Sequence, residues 1–165
     1  MSQTLHSEVT PNLQEINRAL NLIGSAGLIE VRYKSESGVN GFGSDDKALL
    51  AQRAFECSSS PSTTAVWLTV QEISKPENLT KAENILRLRW LVVDVDPPRP
   101  NDTSSSESEK KAALNIASEI RTLLGIRTLL IGSGNGYHIY IPTDVPNTPE
   151  VHSTNRQILD TLIKS

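Results

Sequence analysis

The sequence predicts an α/β fold, with helices packed on a mixed or antiparallel sheet. Apolar residues recur at helical spacing in bounded stretches, short β-type runs lie between them, and the last third carries a hairpin signature around a glycine-rich turn. At 165 residues the chain is long enough to bury one real core and short for two ordinary domains. The expected organisation is a flexible N-terminus over residues 1–10 and a single domain over 11–165.

Thr10 followed by Pro11 reads as a helix start, with Thr10 capping and Pro11 at the first helical position; Leu13, Ile16, Leu20 and Ile23 then share one face until Gly24. From Leu28 to Tyr33 the chain alternates, Ile29, Val31 and Tyr33 on one side and Glu30 and Arg32 on the other, as in a half-buried strand. A turn over 34–40 leads back into a short paired strand at Gly41-Phe42-Gly43. Ser44, ahead of Asp45 and Asp46, caps a second helix that runs to about Phe55 before Ser58 to Ser62 break it.

Ala65 to Val70 is apolar enough for a central strand. Residues 75–84 read as a loop or one helical turn, and Arg89 to Val95 is the plainest strand in the chain. The polar connection 99–108 ends at Ser106, which with Glu109 three residues on makes a capping box. The helix so started shows Ala113, Ile116, Ile120 and Leu123 on one face and stops at Gly125. Thr128 to Ile131, a turn from Gly132 to Gly136, and Tyr137 to Ile141 form the hairpin. Val145 to Pro149 reads as a loop, and a last helix carries Ile158, Leu159 and Leu162.

Composition narrows the function classes. A net charge of -3 argues against a protein that coats nucleic acid electrostatically, so any DNA contact must be local. The single Cys57 excludes an intramolecular disulfide and a cysteine-built zinc site. No apolar run is long enough to span a membrane, and the polar start, with Ser2, Gln3, Thr4, His6 and Glu8, does not read as a signal peptide. The expectation is a soluble cytoplasmic protein without a membrane partner.

Two segments carry the chemistry. In Leu91-Val92-Val93-Asp94-Val95-Asp96-Pro97-Pro98 the two acids are two residues apart, so both carboxylates stand on one face of an apolar strand. Like charges that close repel unless a cation sits between them. Magnesium suits the pair, because it takes one or two protein carboxylates and completes its shell with water and phosphate oxygens. Pro97 and Pro98 end the strand at the second acid, where a ligand can reach it. Without further context the same pair is two solvated strand-end acids.

The second segment is Ile131-Gly132-Ser133-Gly134-Asn135-Gly136-Tyr137-His138-Ile139-Tyr140-Ile141-Pro142. Its glycines allow positive φ and close approach, so successive N–H groups can form an anion-binding concavity. His138 shares a strand face with Tyr140 and can donate to, or carry charge beside, a phosphate. Without further context this is a tight Asn-Gly hairpin with a structural histidine. No Lys-Ser/Thr follows the glycines and no helix opens there, which excludes a Walker loop and a dinucleotide fingerprint.

An apolar strand ending in Asp-x-Asp, then a helix, then a hairpin reading Ser-Gly-Asn-Gly-Tyr-His-x-Tyr resembles the catalytic core of the archaeo-eukaryotic primase (prim-pol) superfamily, in particular the primase-polymerase domains of phages and plasmids. The likeness runs roughly from Leu13 to Pro142, specific in the two motifs and loose elsewhere, and includes Arg87-Leu88-Arg89-Trp90 and Arg99-Pro100 around the first motif. It implies a partial RRM-like core behind a small N-terminal α/β unit. The implied activity is nucleotidyl transfer in DNA replication, template-directed primer synthesis or extension, with Mg²⁺ or Mn²⁺ as cofactor and a nucleoside triphosphate and DNA template as partners. By the same resemblance Asp94 and Asp96 bind the metal, and Ser133, Gly134, Asn135, Gly136 and His138 hold the triphosphate, His138 counting with the two acids as catalytic. Other branches of the family often carry Ser at the position of Gly136, so side-chain contact there falls to Ser133 or to the main chain.

The family's third motif, another strand-end Asp, lies downstream of the helix after the second. Asp144, in a proline-flanked loop, and Asp160, on the last helix, lack that setting. The expectation is therefore an N-terminal fragment of a primase-polymerase with little activity alone, partnered by a helicase or by the missing C-terminal part. The alternative is a degenerate nucleotide-binding or replication-interaction module. A DxD-type glycosyltransferase would leave the histidine hairpin without a role.

Overall fold

The computed structural model describes residues 10–24, 27–75, 79–100 and 103–164. Among them are four α-helices and antiparallel sheets. The described residues divide between Leu86 and Arg87 into two compact units, each with an apolar core of its own. The expected flexible N-terminus lies outside the described residues except for Thr10.

In the first unit helix α1 (Leu13–Ile23) precedes strands β1 (Ile29–Ser35) and β2 (Gly38–Ser44), helix α2 (Lys47–Ser59) and strand β3 (Thr63–Thr69). β1 lies between β2 and β3, antiparallel to both. The cap of α1 is Asn12, not Thr10: its Oδ1 accepts from Gln14 N (2.9 Å) and Glu15 N (3.2 Å), and Pro11 stays outside the helix. Likewise Asp46 caps α2, accepting from Ala48 N and Leu49 N, while Ser44 Oγ holds Asp46 N. α2 runs past Phe55 because Ala54 and Cys57 still face apolar surroundings. β3, expected to be central, is an edge strand, and Trp67 on it is 46 % exposed. Glu30 is not on a solvent face but fully buried, where its carboxylate accepts from Arg32 Nε, Leu79 N and Thr80 N.

Strand β4 (Glu72–Ile73) and a 3-10 turn (Ala82–Asn84) lead into β5 (Ile85–Val95), Ser74 N donating to Asn84 O. The second unit continues with α3 (Glu107–Leu124), β6 (Leu129–Gly132), β7 (Tyr137–Pro146) and α4 (Pro149–Lys164). β7 lies between β5 and β6, antiparallel to both. The Ser106–Glu109 capping box starts α3, and Gly125, at φ 61°, ends it. The buried stripe of α3 is Ala113, Ala117, Ile120 and Leu124, one step round from the expected face. Two alanines let the helix lie close on the sheet, which leaves Ile116 and Leu123 exposed. Leu91, Val93, Val95, Ile139 and Ile141 form the sheet side of this core, and Leu159 and Leu162 of α4 pack against it. Residues 145–146, expected in a loop, extend β7 and pair with Leu88 and Arg87 of β5.

Candidate functional site

Alternation along β5 and β7 decides which side chains meet. Leu91, Val93, Val95, Ile139 and Ile141 face the helices, so Val92, Asp94, His138 and Tyr140 stand on the opposite face of the sheet. Asp94 and His138 are directly opposed across the two strands, and His138 is opposed on its other side by Ile131. His138 Nε2 lies 3.4 Å from Asp94 Oδ1. With Asp94 62 % exposed, such a pair contributes at most about 1 kcal/mol. It is weak enough for a ligand to rearrange.

Tyr140 backs the histidine. Its ring stands edge-on to His138 at 6.2 Å and edge-on to Trp90 at 6.0 Å. Burial, then the Asp94 charge, push its phenol above the ordinary value, so Tyr140 is a neutral donor and a wall to the imidazole.

Asp96 follows the last residue of β5. Arg99 Nη1 lies 2.9 Å from its Oδ2, and Arg99 Nε donates to Thr103 O at 3.1 Å. The two acids were expected to need an external cation, yet the chain supplies a basic neighbour to each: the imidazole to Asp94 and the guanidinium to Asp96. Nothing in the spacing of Asp-Pro-Pro-Arg requires that contact. The sequence signal for it is opposite charge three residues apart.

The glycine-rich turn is more self-contained than a phosphate-binding loop. Ser133 N donates to Gly136 O and Gly136 N donates to Ser133 Oγ, both at 3.0 Å. Asn135 Oδ1 accepts from Ser105 N at 3.1 Å, tying the turn to the segment before α3. Among the described residues the N–H groups of Gly134 and Asn135 have no protein acceptor. The anion-binding concavity expected from the whole turn is thus reduced to these two donors. Gly136 has a second reason to be glycine: a Cβ there would meet Val95 O and Asp96 Oδ1, and would come within 3.1 Å of Asp96 Cα. The turn and the strand end are in contact at Asp96.

Beside that contact an open polar cleft of about 500 Å³ is lined by Asp96, Pro98, Arg99, Thr103 and Asn135, among others. A larger cavity, about 650 Å³, lies in the first unit between Ile16 and Ala19 of α1 and Ala65 and Val66 of β3, and Glu15 is its one titratable lining residue among those described. It brings no catalytic pair together.

Asp144, expected in a loop, sits within β7 at φ 51°. Arg87 Nε donates to its carboxylate at 2.7 Å and Arg89 also holds it. The Arg87 hydrogen bond, with the charges of both arginines, keeps that carboxyl below its ordinary value. These groups hold the irregular pairing of β5 and β7, which shifts register between Leu88 and Trp90. Among the described residues no group of three or more His, Cys, Asp or Glu side chains is arranged to hold a metal ion. Nor, among them, is any helix long and apolar enough to cross a membrane. Comparison with known proteins finds no matching family model, curated protein or solved structure.

Proposed function

We propose that the chain is a metal-dependent nucleotide-binding domain of the DNA primase-polymerase type, in which Asp94, Asp96 and His138 receive the triphosphate of a nucleotide destined for transfer to a primer on a DNA template. The observation that carries the reading is the opposition of Asp94 and His138 on neighbouring strands, with Asp96 two residues further on at the mouth of a polar cleft. The topology supports it as well. The order β5-α3-β6-β7-α4, with β7 between β5 and β6, is that of the first five elements of a βαββαβ unit, the RRM-like arrangement.

The donor chemistry suits magnesium or manganese: Asp94, 62 % exposed, and Asp96, lining the polar cleft, would each offer a carboxylate, and water and phosphate oxygens would complete the shell. When bound, such an ion neutralises triphosphate charge and acidifies an attacking hydroxyl. The rest falls to the chain. Asp94, close to Nε2, orients the imidazole of His138; the other ring nitrogen is then the group offered to a phosphate oxygen. Gly134 N and Asn135 N can donate to the same anion. Tyr140, itself edge-on to Trp90, limits the tilt of the imidazole.

A second reading, a module that binds nucleotide without transferring it, is favoured by the Arg99–Asp96 ion pair and by the lack of a third ligand among the described residues. Titration calorimetry with Mn²⁺ and dATP tests both readings: wild type binds, and Asp94→Asn or His138→Ala weakens binding by about tenfold or more. Equal binding in wild type and Asp94→Asn would remove both. Primer extension with labelled nucleotides and Mn²⁺ then separates them, because extension lost in Asp94→Ala marks an enzyme, and binding without extension marks the module.

A further inference from the structure

Arg99 is the cation of this region that the proposed function leaves unused. Its side chain, 22 % exposed, is clasped by Asp96 Oδ2 and Thr103 O. Pro97, Pro98 and Pro100 fix φ at three positions around it, which narrows the backbone conformations open to Arg99. The guanidinium stays charged at every physiological pH. Asp96 is the one acid among the described residues lining that cleft.

We infer that Arg99 is a nucleotide-binding residue held in reserve: it occupies the Asp96 carboxylate and turns to the phosphates of the nucleotide when a divalent ion takes that carboxylate. The inference rests on the reading of Asp94 and Asp96 as metal ligands. A divalent ion and a guanidinium on one carboxylate repel each other, and Asp96 is the one acid among the described residues lining the cleft. Glu109, whose carboxyl feels the Arg99 charge, is already held by Ser106, so an anion brought by the ligand is the partner that replaces Asp96. A polyphosphate presents paired oxygens that match the guanidinium fork.

Competition of this kind has a signature that a merely structural arginine lacks. Arg99 opposes a bare metal ion and assists a metal–nucleotide complex, so its removal moves the two affinities in opposite directions. Mn²⁺ binding to the full chain, read from the free-ion electron paramagnetic resonance signal, is expected to tighten by about fivefold in Arg99→Gln. Binding of the Mn²⁺–dATP complex, read by calorimetry, is expected to weaken by about tenfold or more. Arg99→Lys keeps the charge and loses the fork, so Mn²⁺ alone binds as in wild type while Mn²⁺–dATP weakens; it carries the test if circular dichroism shows Arg99→Gln unfolded. Affinities that move together, or not at all, overturn the role of Arg99 while Asp94-dependent binding of Mn²⁺–dATP by wild type leaves the metal reading intact. Wild type that binds Mn²⁺–dATP no better than Asp94→Asn removes both.

Discussion

Gly136 occupies a place where no side chain fits. The nearest atoms to a Cβ there belong to the backbone of Val95 and to Asp96, so relief requires the hairpin turn to move away from the end of β5. Gly136→Ala is expected to destabilise the second unit by roughly 1–3 kcal/mol, as overpacking does, and to weaken Mn²⁺–dATP binding because Asp96 moves with it. Urea unfolding and calorimetry on the same sample check this; unchanged stability would mean that the turn yields freely. Gly134 is a different case. At φ 98° with open space around it, only its backbone conformation resists substitution, and Gly134→Ala is expected to cost about 1 kcal/mol without disturbing Asp96.

At the level of elements, α3 is placed by its ends and by its two inward alanines. Ser106 accepts from Glu109 N, and Glu109 Oε2 accepts from Ser106 N at 2.7 Å. Ser106→Ala is expected to lower stability by about 1 kcal/mol. The Ser106 hydroxyl and then its N–H hold the Glu109 carboxyl below its ordinary value. Because the folded value is depressed, the contribution of Glu109 is complete above the unfolded value of about 4.3 and is lost as pH falls through the folded one. Wild type and Glu109→Gln should therefore differ at pH 7 and converge towards pH 3 in thermal melts. A gap that widens in acid would contradict the capping role.

Over the whole molecule, the two units have separate apolar clusters, one centred on Ile29, Val31, Leu50 and Ala51, the other on Leu91, Val93, Ala117 and Ile139. Each unit also holds one tryptophan, Trp67 in the first and Trp90 in the second. Single-tryptophan variants can thus report on each core by itself. Leu50→Ala is expected to lower the stability read at Trp67, and Ile139→Ala that read at Trp90, by about 2–5 kcal/mol each. A change below 1 kcal/mol at Ile139, which is fully buried, would mean that the sheet face is less tightly packed than its burial indicates.

What the sequence determined alone is what depends on near neighbours along the chain. The capping box at Ser106, the stop at Gly125, the hairpin after Thr128, and the placement of Asp94 on the face of β5 away from the helices all follow from local spacing, because each is set by backbone geometry within a few residues. Tertiary structure decided the rest. The cap of α1 is Asn12 rather than Thr10 and that of α2 Asp46 rather than Ser44, a choice among several polar residues that spacing left open. Glu30 went inside because Leu79 and Thr80, about fifty residues on, supply the N–H groups that its burial requires. The opposition of Asp94 to His138 needed the register of β5 against β7. Pairing register and buried hydrogen-bond partners are relations between distant segments, and only the folded chain brings those segments together.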